Sequence, residues 1–140
     1  MITAIHSILS LAAALLLAGC AVLQLGDSPP EASHNTAVVA LLDKAHVQAS
    51  AGQLEKASAS FERALRIEPR NPALWQELAR VRLGQGQYRQ AENLAAKSNA
   101  LSRGNKRMRA GNWRIIGQAR TKRGDIQGAQ AAFERAERDP

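Results

Sequence analysis

The sequence predicts an all-α fold in which three helix-turn-helix units stack in a row. Two observations carry that expectation. One is a recurring block: GQLEKASASFERAL from Gly52, GQYRQAENLAAKSN from Gly86 and GDIQGAQAAFERAE from Gly124. The other is spacing, because apolar and small residues recur at helical rather than strand intervals. Ala57, Ala91 and Ala129 align, as do Phe61, Ala95 and Phe133, and then Ala64, Ser98 and Ala136. The interval from Gly86 to Gly124 is longer by four than that from Gly52 to Gly86, so four residues are inserted between the second and third blocks. Units of this kind cannot bury an apolar face alone and gain a core by stacking.

Ahead of the repeats, Ile8 to Ala18 is apolar apart from Ser10, and the run ends on Leu17-Ala18-Gly19-Cys20 with the sole cysteine. An apolar core followed by small residues is the pattern of a secretory signal. It is short of the about 20 apolar residues that a membrane span needs. The last four residues resemble a bacterial lipoprotein lipobox. That resemblance implies a signal peptide over residues 1–19, cleaved before a Cys20 that carries the lipid. The competing reading is an uncleaved anchor helix: extension to Leu25 reaches spanning length, and the first seven residues hold no Lys or Arg. Ala21, rather than Asp, follows the cysteine. For a Gram-negative cell the resemblance then implies the outer membrane, facing the periplasm. With Cys20 acylated no free thiol is left, which excludes disulfides, thiol catalysis and cysteine-based metal sites.

Residues 20–36 read as a tether. Gly26 to Asn35 is GDSPPEASHN, polar and punctuated by two prolines. A flexible coil of about 16 residues reaches roughly 20 Å, so the folded part is expected to stay near its membrane.

The first repeat places Val38, Leu41, Leu42 and Ala45 on one helical stripe, then Leu54, Ala57, Phe61, Ala64 and Leu65 on the next. Gly52, Gly86 and Gly124 stand where paired helices must turn tightly. In the second repeat Asn71 is placed to cap a helix that has Pro72 at its first position. Trp75-x-x-Leu78-Ala79 reappears as Trp113-x-x-Ile116-Gly117, at the same interval that separates Gly86 from Gly124. Between them SRGNKRMR either lengthens the following helix by a turn or forms a basic loop. Asp125 is the expected cap of the last helix. That helix carries Gln130, Glu134, Arg135 and Arg138 among alanines, so it either caps the stack itself or docks on a partner or a second copy.

Together these positions resemble the tetratricopeptide repeat family, and the interval from Gly52 to Gly86 equals that family's period of about 34 residues. The resemblance covers residues 37–140 and implies repeats at about 38–71, 72–105 and 110–140, stacked as a short right-handed solenoid. The departures are Leu41 for the tryptophan of repeat one, Ala95 and Ser98 in repeat two, and no proline at the usual offset in repeat three. Repeat domains of this type bind along a concave face made by the first helix of each pair. The family's groove positions fall on Val39, Leu42 and His46 in repeat one and on Gln76, Arg80 and Leu83 in repeat two. Repeat three contributes Arg114, Gln118, Thr121 and Lys122. Leu42 and Leu83 can equally be core packing. His46 reads as a surface or groove histidine, because no second histidine or carboxylate is spaced along the chain to join it.

Charge is the second functional signal. The chain carries 19 Lys and Arg against 12 Asp and Glu, a formal net charge of +7. Between Glu92 and Asp125 there is no acidic residue, and a basic patch is expected there from Arg103, Lys106, Arg107, Arg109, Arg114, Arg120, Lys122 and Arg123. Such a surface attracts anionic partners, most strongly at low salt; the plainer reading is a solvated face. An export signal argues against nucleic acid. So does the lack of a stacking set, since Trp75, Trp113 and Tyr88 fall at packing positions.

Catalysis is not expected. Mature residues include two histidines, His34 and His46, and no HExxH, GxSxG or phosphate-binding glycine loop. No cofactor or metal is implied. The whole pattern resembles the short tetratricopeptide lipoproteins of Gram-negative outer membranes, and among them the LpoP-type activators. That implies a protein partner, a class A penicillin-binding protein whose peptidoglycan synthesis is stimulated. Two other readings stand beside it. One is a pilotin-like lipoprotein assisting a pilus or secretion channel. The other is a basic envelope lipoprotein that binds acidic polymer or lipid.

Overall fold

The computed structural model describes residues 33–138, and the expected signal peptide, Cys20 and most of the expected tether lie outside them. Six α-helices follow one another: α1 (Thr36–Ser50), α2 (Leu54–Ile67), α3 (Pro72–Gly84), α4 (Tyr88–Leu101), α5 (Lys106–Lys122) and α6 (Ile126–Arg138). They form three antiparallel pairs, α1/α2, α3/α4 and α5/α6, stacked in chain order. The all-α, three-repeat expectation holds.

The punctuation explains the boundaries. An asparagine starts the first helix of every pair. Asn35 accepts from the Ala37 and Val38 amides, Asn71 from Ala73, and Asn105 from Met108. Each satisfies amides that the helix cannot pair internally. Within each pair the turn is made by Gly52, Gly86 or Gly124, with φ of +73°, +75° and +80°. Side chains rarely adopt that left-handed conformation, which fits glycine there. Asp125 caps α6 as expected, accepting from the Gly128 amide at 2.9 Å.

Two linked cores run along the stack. The first joins Val38, Ala45, Ala57, Phe61, Ala64, Leu65, Leu74, Leu78 and Val81, with Leu41, Leu42, Leu54 and Trp75 at its margin. The second joins Ala79, Ala91, Ala95, Ile115, Ile116 and Ala132, with Leu83 and Trp113 at its margin and Leu94 bordering both. Alanines at 0% exposure (Ala45, Ala57, Ala64, Ala79, Ala91, Ala95) let the helices approach closely, and larger side chains fill between them. Leu42 and Leu83 therefore pack at core margins, and each is half-buried. The outer face of α6 exposes Gln127, Gln130 and Glu134, with Ile126 also exposed at its start.

The four inserted residues become helix. α5 runs for 17 residues against 13 in α3. Trp113 matches Trp75, so the extra length is the first turn, Lys106 to Arg109. The third pair thus opens at Lys106, ahead of the sequence-based start at 110. Arg103 at φ 40° and Gly104 at φ +90° reverse the chain before it. Met108 buries that turn, at 5% exposure.

Candidate partner-binding groove

The first helices of the three pairs, α1, α3 and α5, touch along one face through polar side chains. His46 on α1 places Nε2 3.8 Å from Glu77 Oε2 on α3. Arg80 Nε lies 3.6 Å from the other Glu77 oxygen, one turn further on. His46 also sets its ring edge-on to Phe61, at a centroid distance of 5.6 Å. This corrects the sequence reading of His46 as a histidine with no carboxylate to join it. The carboxylate comes from the neighbouring repeat, far along the chain, where linear spacing cannot reveal it. Glu77 was not among the expected groove residues, yet it sits between two that were.

Further along, Gln76 Nε2 donates to the Met108 carbonyl at 3.1 Å and to Asn112 Oδ1 at 2.9 Å. Its amide therefore joins α3 to α5. Asn112 is wholly buried and passes the network on, donating to Ser98 Oγ at 2.8 Å and to Asn99 Oδ1 at 2.9 Å. Ser98 Oγ in turn donates to the Pro72 carbonyl at 2.8 Å. These bonds matter because a buried polar group without a partner costs on the order of 1–3 kcal/mol; Asn99 Nδ2 is the one buried side-chain nitrogen or oxygen left without a partner among the described residues. Gly111 forms the floor beside it. A Cβ there would stand 3.0 Å from Gln76 Nε2 and 3.8 Å from Arg80 Nη2.

Arg114 and Gln118 follow Gly111 at helical spacing on α5, and both are exposed. Lys122 is exposed at the end of that helix, whereas Thr121 Oγ1 donates to its own helix, to the Gly117 carbonyl at 2.9 Å. Val39 is 40% exposed at the other end of the face. The expected groove residues lie on α1, α3 and α5 and have different tasks. Leu42 and Leu83 pack, Gln76 stitches, and Val39, His46, Arg80, Arg114, Gln118 and Lys122 are open to a partner.

The expected basic patch does not form one surface. Arg120 and Arg123 are held by Glu92 on α4. Arg120 reaches Oε1 through Nε at 2.7 Å and Nη2 at 2.6 Å, and Arg123 Nη1 lies 2.8 Å from Oε2. Arg120 also donates to the Gly128 carbonyl at 3.2 Å. These two cations serve the joint between repeats two and three. Arg82 is the equivalent of Arg120 in the preceding repeat. It bonds Glu62 of α2 and donates to Gln85 at 3.0 Å and Gln87 at 2.9 Å. A buttressing arginine at this position therefore recurs. Arg114 and Lys122 belong to the groove, while Arg103, Lys106 and Arg107 are exposed where α5 begins, with half-buried Arg109 in the same first turn.

No group of three or more His, Cys, Asp or Glu is placed to hold a metal among the described residues. No described helix is long and apolar enough to cross a membrane.

Comparison with known proteins agrees with this architecture. A tetratricopeptide repeat family model matches residues 48–111. The globular C-terminal domain of P. aeruginosa LpoP is similar at 42% identity, over 75% of this chain and 99% of that one, with a TM-score of 0.72. The N-terminal domain of stress-induced protein-1 (STI-1) from C. elegans shares 19% identity over 75% of this chain and 87% of its own, with a TM-score of 0.68. That second likeness is one of fold. A search of curated proteins finds no match.

Proposed function

This chain belongs to the tetratricopeptide repeat family, among relatives of the P. aeruginosa LpoP C-terminal domain, and we propose that it is an envelope lipoprotein that activates a peptidoglycan synthase. The fold is a protein-interaction module. The finer reading is a lipid on Cys20 in the outer membrane and, as partner, a class A penicillin-binding protein in the periplasm. The observation that carries it is the 42% identity across 99% of the LpoP domain. The lipobox-like Leu17–Cys20 supports it from outside the described residues.

The groove sets the chemistry of the contact. Arg80, Arg114 and Lys122 present three cations along α3 and α5, and Glu77 is occupied by His46 and Arg80. An acidic or carbonyl-rich segment of the synthase fits that surface. Arginine forks would recognise its carboxylates with two parallel bonds. Activation then follows from differential affinity: a protein that binds the active conformation more tightly shifts the synthase towards it.

The test is glycan-strand synthesis by the purified synthase with and without the lipidated chain. Stimulation by the wild type, lost in Arg80→Glu/Arg114→Glu, is the expected result. A synthase indifferent to the wild-type protein sinks the activator reading, and stimulation that survives the double reversal sinks the groove as its site.

A further inference from the structure

The edge at which the chain enters the domain is also its most cationic, and from this we infer that it docks on an anionic lipid surface. The inference rests on the membrane-anchored reading above and adds an orientation to it.

The edge is built by the ends of several helices. Ser33 Oγ donates to Glu68 Oε1 at 2.5 Å, and Asn71 Nδ2 donates to Glu68 Oε2 at 2.8 Å. The last residues of the tether are thereby fastened against the α2–α3 turn, in a cleft lined by Ser33 to Asn35 and Glu68 to Pro72. The start of α5 lies on the same edge. Ser98 near the end of α4 reaches the Pro72 carbonyl, and Gln76 reaches Met108 in the extra turn. Arg66, Arg70, Arg103, Lys106 and Arg107 are exposed here, and none makes an ion pair among the described residues. The carboxylate of Glu68 is already taken by Ser33 and Asn71.

The opposite edge differs. There Arg120 and Arg123 are tied to Glu92, and Asp125 caps α6. Lys56, Arg89 and Lys122 are exposed near that edge too, beside Glu55, Glu92 and Asp125, so the excess of cations over carboxylates is greater at the edge where the chain enters. The inserted turn contributes Lys106 and Arg107, and the strained left-handed backbone of Arg103 stands beside them.

Geometry selects lipid over other anions. Twelve residues lie between Cys20 and Ser33, so on the membrane-anchored reading even a fully extended chain holds Ser33 within about 45 Å of the lipid. Within that distance the attachment edge meets the anchoring membrane before any other surface. Attraction between exposed charges fades over about 10 Å at moderate salt, and attachment to the same membrane raises how often these cations come within that range. Each Lys or Arg at an anionic surface strengthens binding about fivefold. Docked this way, the α1–α3–α5 groove stands across the membrane normal, with its floor open to the side.

The experiment uses the lipidated full chain in two vesicle types, phosphatidylcholine alone and phosphatidylethanolamine with phosphatidylglycerol. A fluorophore is placed at His34→Cys or, separately, at Thr121→Cys, and the vesicles carry a headgroup quencher. We expect the position 34 probe to be quenched more in the phosphatidylglycerol vesicles, and high salt to remove the difference. The position 121 probe should not distinguish the two lipids. Arg103→Glu/Lys106→Glu/Arg107→Glu should lower the docked-to-undocked ratio by at least about a hundredfold, the effect of removing three cations before counting the added carboxylates, with helical content unchanged by circular dichroism. Equal quenching of position 34 in both lipids overturns the proposal. So does a lipid difference that the triple variant leaves intact, or salt-sensitive binding to purified cell wall in place of vesicles. Retention of the chain on vesicles at high salt reports the anchor separately. If retention fails, the anchored reading falls, and salt-sensitive flotation with anionic vesicles alone still decides the edge.

Discussion

Gln76 on α3 and Asn112 on α5 share a hydrogen bond of 2.9 Å across the joint between the second and third repeats. It belongs to a seam in which Asn112, with no exposed surface, also holds Ser98 and Asn99. Two linked apolar cores lie along the stack, and this seam fixes how the second pair meets the third. Asn112→Ala removes three bonds and leaves a void, and we expect a loss of about 2–3 kcal/mol. Gln76→Ala should cost less, because Gln76 is half-buried and water can replace it at the Met108 carbonyl. Urea unfolding of both variants checks the order; equal losses would mean that the seam does not depend on Asn112.

Gly117 lies under the ring of Phe133. A Cβ at Gly117 would stand 2.6 Å from the Phe133 Cε1 atom, and three ring atoms would lie within 2.8 Å. The equivalent pairs are Ala45 with Phe61 and Ala79 with Ala95, so a phenylalanine is compatible with alanine in the first pair, and the approach that excludes a Cβ is particular to the third. Gly117→Ala should destabilise by about 1–3 kcal/mol through overpacking, despite alanine's better helix propensity. Gly117→Ala/Phe133→Leu should recover part of that loss, a coupling that a double-mutant cycle measures. Strict additivity would contradict the contact.

Glu92 carries two arginines from the next repeat. Its side chain is 18% exposed, and Arg120 and Arg123 are 30% and 32% exposed. The bonds are charge-assisted but only partly shielded, so Glu92→Ala is expected to cost about 1–2 kcal/mol. Most of the coupling should run to Arg120, which bonds Glu92 through two nitrogens and Gly128 through a third. Cycles of Glu92→Ala with Arg120→Ala and with Arg123→Ala, at low and high salt, separate the two. Arg123 should lose its coupling first as salt rises.

The repeats were legible because each is written three times in the same code. Glycine at the left-handed turn, alanine at the close approach and asparagine at the first cap are local demands, and local demands repeat with the period. Asn35 and Asn105 stood in the sequence at offsets comparable with Asn71 and could have been read as caps. Contacts between repeats were not legible. Glu77 meets His46, and Glu92 meets Arg120, only because helices distant in sequence are stacked side by side. The insertion left loop and helix equally open on sequence grounds. Met108 decides it in the fold, because its burial requires the extra turn.

Gly111 gives the groove its own test. It sits in the middle of α5, where glycine is about 1 kcal/mol worse than alanine for helix formation. The site gains space from it, since Gln76 Nε2 and Arg80 Nη2 lie against its bare backbone at 3.0 and 3.8 Å from a built Cβ. Gly111→Ala adds one methyl beside the flexible end of Gln76. The propensity gain and the small displacement should nearly cancel, leaving stability within about 1 kcal/mol of wild type. Gly111→Leu keeps the helix but fills the floor between Arg80 and Arg114. Partner binding by that variant should fall at least about tenfold, as expected when a pocket loses its shape. Titration of the synthase against both variants, with circular dichroism to establish folding, checks this. A Gly111→Leu protein that folds and binds like wild type would move the docking surface away from α3 and α5.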